Sequence, residues 1–341
     1  MGTFILRRLM FMVLVLAGMS VITFVLTHVV PGDPARLLAG QHASAEEVRT
    51  VAAMYGLDRP LPVQFWVYVR GLVHGDLGMS LTDRRPVMED LAQYLPASIE
   101  LTLAAVVLVV LIGLPVGLLA GVRRGRPIDH VLRFLTVGGV SMPIFWFGII
   151  LQIAFYKQLH ILPIGGRLGI LDIEPPQVTG FYLIDSLLAG DLPTFWSAVV
   201  HMILPASALA AGSLAVVVRM MRASVIELLD ADHVRTARAK GLTASIVLRR
   251  HVFRNALIPT TTVLGLQIGA LLAGNVLAEV VFNWPGIGLY AVNAIRNLDY
   301  PSIMGVTLVI SVIYVFVNLL VDIAYVALDP RISYGGGRPR V

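Results

Sequence analysis

Cysteine is absent from the 341 residues, which excludes disulfides and thiolate metal sites. Charge is scarce, at 14% of residues against about 25% in ordinary soluble domains. Only two lysines occur, Lys157 and Lys240, and neither follows a G-x-x-x-x-G-K-[ST] glycine pattern. The chain therefore carries no phosphate loop, and any ATP it depends on must be hydrolysed by another chain. The eight histidines form no H-x-x-x-H pair, so neither a metal site nor any other cofactor site is expected in this chain. There is no G-x-S-x-G nucleophile elbow. Nor is there a repeat at a period of 20–50 residues or the inverted repeat of a secondary transporter.

What is present is apolar. Hydrophobic residues make up 57% of the chain, and the mean hydropathy is +0.81. A transmembrane helix needs about 20 predominantly apolar residues, and six stretches qualify: 9–30, 101–121, 134–156, 196–218, 257–281 and 303–321. The expected fold class is thus an all-α polytopic membrane protein with six transmembrane helices, its partner solvent the lipid bilayer. Arg7 and Arg8 precede the first stretch as they would a signal peptide, but its 22 residues exceed the roughly 7–15 of a signal core. It reads as a retained helix.

Basic residues concentrate between alternate spans. Seventeen of the 26 fall on one side, including Arg123, Arg124, Arg126, Arg133, Arg219, Arg222, Arg235, Arg238, Lys240, Arg249, Arg250 and Arg254. The basic side carries +11 and the opposite side −6. The positive-inside rule then places both termini in the cytoplasm of a multi-pass membrane protein. It also accounts for the net charge of +5 without a nucleic-acid partner.

Four regions are expected: a first helix over 1–30, an external helical subdomain over 31–96, a five-helix core over 97–330, and a cytoplasmic tail over 331–341. In the subdomain, Ser44 and Glu47 are spaced as a capping box, in which each side chain satisfies an orphan backbone N–H. The helix they open should stop at Gly56. A second helix should follow Pro62 and carry Phe65, Trp66, Tyr68 and Val69, aromatics suited to the membrane interface. Two further external loops are expected, over 157–193 and 282–301.

The cytoplasmic segment 222–255 holds the most informative sequence. From Asp232 to Lys240 there is neither Gly nor Pro, and Asp230 or Asp232 can cap a helix there. Lys240 and Gly241 mark its end. Arg235 and Arg238 share a face, and Ala237 and Ala239 leave room for a partner surface. Thr243 can cap a second short helix through Arg250. The segment is either a docking unit or a solvated basic loop that only fixes topology. In the spans, polar groups are candidates for a solute path: Glu100, Ser141, His201, Gln267 and Asn275. A helix–helix hydrogen bond is the competing role for His201, and plain interfacial placement is favoured for Glu100.

The stretch Arg235-Thr-Ala-Arg-Ala-Lys-Gly241 resembles the ATPase-contacting loop of bacterial ABC importer permeases in its peptide-transporter form. The likeness extends over nearly the whole chain. It includes Phe4-Ile-Leu-Arg-Arg8, Pro31-Gly-Asp-Pro34, Gly56-Leu-Asp58, His74-Gly-Asp-Leu-Gly78 and Ser141-Met-Pro-Ile-Phe-Trp146. Arg254-Asn-Ala256, Trp284-Pro-Gly-Ile-Gly288, Asp299-Tyr-Pro301 and Asn318-Leu-Leu-Val-Asp322 also fit. Dipeptide permeases are the most similar branch, with Thr179-Gly-Phe-Tyr-Leu-Ile-Asp185 favouring them over nickel or glutathione relatives. The Glu-Ala-Ala positions of the general pattern hold Arg235, Thr236 and Ala237, and its proline comes later, at Pro259. The resemblance implies a non-catalytic subunit whose coupling loop is Asp232, Arg235, Thr236, Ala237, Arg238, Ala239, Lys240, Gly241 and Leu242. Its implied partners are a second homologous permease, two cytoplasmic ATPase subunits that bind ATP and Mg, and an extracytoplasmic peptide-binding protein. The competing readings are an importer of another small solute, a proton-driven secondary transporter, for which His201 is the one fair midplane group, and a membrane enzyme.

Overall fold

A computed structural model describes residues 2–29, 35–36, 43–54 and 56–328. Fourteen α-helices lie within the described residues: α1 Gly2–Val29, α2 Ala45–Met54, α3 Leu61–Val73, α4 Val87–Leu108, α5 Leu114–Val122, α6 Pro127–Ser141 and α7 Ile144–Leu151, then α8 Tyr182–Leu188, α9 Leu192–Leu229, α10 Asp232–Ala239, α11 Ala244–Ile246, α12 Arg254–Val281, α13 Ile287–Arg296 and α14 Tyr300–Leu328. Single π turns join α4 to α5 (Val109–Gly113), extend α7 (Gln152–Gln158) and join α11 to α12 (Val247–Phe253). Extended pairing among the described residues is one isolated bridge, Met79 with Pro86. The all-α class stands. Among the described residues, three helices are long and apolar enough to cross a membrane: Val87–Val122, Leu192–Leu229 and Tyr300–Leu319.

Several expected span boundaries shift. The second apolar run sits inside a helix that already starts at Val87 and accommodates Pro96 in its interior. The run 134–156 is not continuous. Helix α6 ends at Ser141, Met142 is extended (φ −87°, ψ 128°), and α7 begins at Ile144. Pro143 dictates this, because its ring clashes with a helical conformation at the preceding residue.

The described chain divides into two compact units, one of residues up to 95 with 287–316, the other of 96–286 with 317 onward. In the first, Ser44 and Glu47 form the expected capping box. Glu47 N–H donates to Ser44 Oγ (3.3 Å), and Ser44 N–H donates to Glu47 Oε2 (2.7 Å). Gly56 follows with φ +66°. Helix α3 carries Phe65 and Tyr68, whose rings lie 5.2 Å and 5.9 Å from that of Phe24 on α1. Trp66 stays exposed. A second cluster packs Val87 and Leu91 on Ile287, Tyr290 and Val306. Beside it the buried Tyr290 hydroxyl donates to Asp90 (2.9 Å) and lies 2.8 Å from Ser302 Oγ.

In the second unit, α9 is the spine. Its 38 residues run 11 residues past the expected span end at Val218, so Arg219 and Arg222 lie on helix rather than in a loop. Asp191 caps its start, accepting from the Thr194 backbone (3.1 Å) and hydroxyl (2.7 Å). One core cluster gathers Leu101, Ala105 and Val109 with Met202, Leu209, Val217, Ala278 and Trp284. Gly113, Gly117 and Gly121, one turn apart, face Val217, Met221 and Val225 of α9, also one turn apart. Small residues at this spacing let helix backbones close up where lipid offers no hydrophobic drive.

Candidate functional site

Helix α10 stands between the ends of two long helices. Asp230 closes α9, and Ala231, extended and without a side-chain cap, opens α10. Neither aspartate caps the helix as expected, because Asp230 is spent on the preceding helix and Asp232 already lies inside α10. Asp232 still places a carboxylate at the positive end of the helix dipole. At the other end Gly241 has φ +76°. Its N–H donates to the Arg238 carbonyl (3.0 Å), and Leu242 N–H donates to Ala237 (3.3 Å). This pair of bonds is the Schellman termination that glycine allows.

The two faces of α10 differ sharply. Val234 and Ala237 are buried and join Met221 and Val225 of α9 with Val247, Val252 and Ala256 at the head of α12. Ala237 was expected to leave space for a partner. It faces inward instead, its methyl part of the packing that seats α10. Asp232, Arg235, Thr236, Arg238, Ala239, Lys240, Gly241 and Leu242 remain exposed. Arg235 pairs only with Asp232, one turn back (3.4 Å), on a solvent-open surface. The second short helix through Arg250 is not separate either. Thr243 sits at its start without a side-chain cap, and the chain runs through the π turn directly into α12. The unit is one short helix wedged between α9 and α12.

Just above it, Arg222 Nε and Nη2 donate to the two oxygens of Asp129 at 2.6 and 2.8 Å. Asp129 also accepts from the Gly125 backbone (3.0 Å). The two Arg222 hydrogen bonds hold the Asp129 carboxyl well below the usual carboxylate range, against the opposing effect of burial.

The polar candidates for a solute path scatter. Glu100 is buried, and Arg167 Nη2 donates to its Oε2 at 2.5 Å. The other oxygen accepts from Leu183 N–H (2.9 Å). The same Arg167 nitrogen donates to the Gly180 carbonyl (3.1 Å), and the guanidinium lies 3.5 Å from the Tyr182 ring centre. Glu100 also borders a cavity of about 400 Å³ whose other walls are apolar, among them Leu103, Val107, Phe181 and Met202. Ser141, His201 and Gln267 do not line it. Ser141 is the last residue of α6 and exposed. Gln267 is half-buried on α12. His201 Nδ1 lies 2.8 Å from the Ser197 carbonyl one turn back, and the Ser197 hydroxyl donates to Asp172. The side chain of Asn275, Pro31 to Pro34 and the tail over 331–341 lie outside the described residues.

Sequence reasoning missed the buried Glu100–Arg167 and Asp129–Arg222 pairs and the glycine ladder. The ladder was readable as Gly-x-x-x-Gly-x-x-x-Gly over 113–121. The signal for Arg167 was weaker: one arginine in a loop otherwise rich in acidic residues. The motif around Thr179 does have a structural reason. Asp185 accepts from Thr179 N–H (2.9 Å), the Thr179 hydroxyl (2.7 Å), Gly180 N–H (2.9 Å) and Val178 N–H (3.3 Å). Burial alone would raise its pKa, yet these bonds hold it below the ordinary value.

Long apolar helices with an exposed charged helix seated between two of them define a polytopic membrane component. The chain belongs to the binding-protein-dependent transport system inner membrane components: residues 113–334 match that family, and residues 1–102 match its N-terminal region. It is 49% identical over 326 residues to the probable D,D-dipeptide transport system permease protein of Escherichia coli (strain K12), covering 96% of each chain. It is 43% identical to the dipeptide transport system permease protein of the same organism, over 97% of this chain and 98% of the relative. The glutathione transport system permease protein of Escherichia coli O6:H1 is 38% identical, over 98% of this chain and all of the relative.

Proposed function

We propose that this chain is the transmembrane permease subunit of an ATP-driven importer that carries dipeptides or short oligopeptides across the bacterial plasma membrane. Relatives with 38–49% identity over nearly the full length are named for D,D-dipeptides, dipeptides and glutathione, so a short peptide is the shared substrate class. The exposed face of α10, ended by the left-handed Gly241 and seated by Val234 and Ala237, is the observation that carries the mechanism. Two cytoplasmic ATPase subunits press on Asp232 to Leu242. Because Val234 and Ala237 share a core with Met221, Val225 and Val252, displacement of α10 passes into α9 and α12. A second homologous permease closes the pathway, and an extracytoplasmic binding protein delivers the peptide. Both termini lie in the cytoplasm. ATP and Mg sit on the ATPases, and this chain holds no cofactor.

The test is uptake by proteoliposomes containing the complete transporter and its binding protein. Labelled dipeptide should accumulate with internal ATP and not with a proton gradient alone. Gradient-driven uptake without ATP would overturn the reading in favour of a secondary transporter.

A further inference from the structure

Resting on the coupling role of α10, we propose that Asp129 and Arg222 are a positioning pair that carries coupling-helix displacement into helix α6. Three surfaces converge on the 217–225 segment of α9. Met221 and Val225 pack under Val234 and Ala237 of α10. The same two residues meet Gly117 and Gly121 of α5 so closely that a Cβ on either glycine would fall 2.6 Å from a side-chain carbon. Arg222, between them, reaches away to Asp129 in the first turn of α6.

The first two contacts are apolar. Close packing transmits a push along the helix normal, but apolar surfaces also slide past one another by shear. The Arg222–Asp129 contact resists sliding. Two parallel charge-assisted N–H···O bonds fix direction as well as distance. The Asp129 carboxylate is 1% exposed and also holds Gly125 N–H, so its own position is locked to the turn that starts α6. At the far end of α6 the backbones of the two helices come close, where a Cβ on Gly139 would lie 3.4 Å from the Ala211 carbonyl. The pair is therefore a directional link between these two helices. Helix α6 ends at the Met142–Pro143 break, so its motion is not forced on α7.

The experiment measures dipeptide taken up per ATP hydrolysed in proteoliposomes holding the whole transporter. The variants are Asp129→Asn, Arg222→Lys and the exchange Asp129→Arg with Arg222→Asp. Arg222→Lys keeps the charge but loses the bidentate geometry. ATPase co-purification and basal ATP hydrolysis should persist in the single variants, while uptake per ATP falls roughly fivefold or more, the scale of a coupling free energy. The exchange should recover part of the loss. Unchanged uptake per ATP in both single variants would overturn the proposal. So would failure of both to assemble, which would make the pair a folding element. Gly241→Val, run alongside, separates this from the broader reading. Normal uptake there refutes the coupling role of α10, whereas loss there with no loss in Asp129→Asn refutes the positioning pair alone.

Discussion

Gly117 and Met221 touch with no space between them: a Cβ built on Gly117 would lie 2.6 Å from the Met221 Cβ and 2.9 Å from the Val218 carbonyl oxygen. Backbone and a Cβ cannot rotate away, so a larger residue must separate α5 from α9. Gly117→Val is expected to lower the melting temperature of the detergent-solubilised chain and to reduce its yield, whereas Gly138→Val, with nothing near its Cβ, should do neither. Equal melting for both would show that the helices do not meet here.

Gly241 presents the opposite case. No atom lies within 4 Å of its Cβ position, yet φ is +76°. A side chain there meets only backbone strain, roughly 1–2 kcal/mol for the left-handed conformation. Gly241→Val should leave membrane insertion intact, re-aim the end of α10 and reduce peptide uptake. Gly241→Asn, which tolerates that region better, should retain more transport than Val.

Glu100 and Arg167 test a buried pair. Removing one partner of such a pair typically destabilises by about 3–5 kcal/mol, while replacing both with apolar groups is often neutral. Glu100→Gln should therefore lower thermal stability more than the double change Glu100→Leu with Arg167→Met. A double variant that melts at or below Glu100→Gln, read by differential scanning fluorimetry, would argue that the residues act separately.

The Asp185 knot gives a pH dependence with a definite sign. Its folded pKa lies below the ordinary value, so its contribution is complete above the unfolded pKa of about 3.9 and fades as pH falls through the folded value. Hydrogen-exchange protection of the Thr179 and Gly180 amides, corrected for intrinsic rates, should be constant from about pH 8 to 5. It should drop only in stronger acid, and Asp185→Asn should weaken it at every pH. Loss of protection near neutrality would contradict this assignment.

Topology can be read with single cysteines, since the native chain has none. Cysteines at Ala43 and Ala244 should label from opposite sides of the membrane. Labelling of both from outside would refute cytoplasmic termini and the docking of ATPases on α10.

Local chemistry was legible in the sequence, and distant pairing was not. The Ser44–Glu47 box and the Gly241 termination each lie within a few residues, where short-range geometry decides. Pro143 also carried a readable signal, but hydropathy over 134–156 overrode it, because an apolar average is blind to one conformationally restricted residue. Ala237 was misjudged because smallness is compatible with a docking surface and with a tight core alike. Only the seat formed by Val225 and Val252 separates the two. Glu100 and Arg167 are 67 residues apart and Asp129 and Arg222 are 93 apart, so nothing along the chain announces either partnership.

The π turn over Val109–Gly113 feeds one extra residue into the continuous helix Val87–Val122. One residue corresponds to about 100° of rotation. A stripe followed from Leu101 and Ala105 at regular α-helical spacing would miss Gly117 and Gly121, yet the inserted residue turns these glycines toward α9, on which Leu101, Ala105 and Val109 also pack. A relative lacking that residue would turn its glycines away from the α9 side of the helix. Any residue-by-residue transfer across position 111 should be made separately for each half of the span.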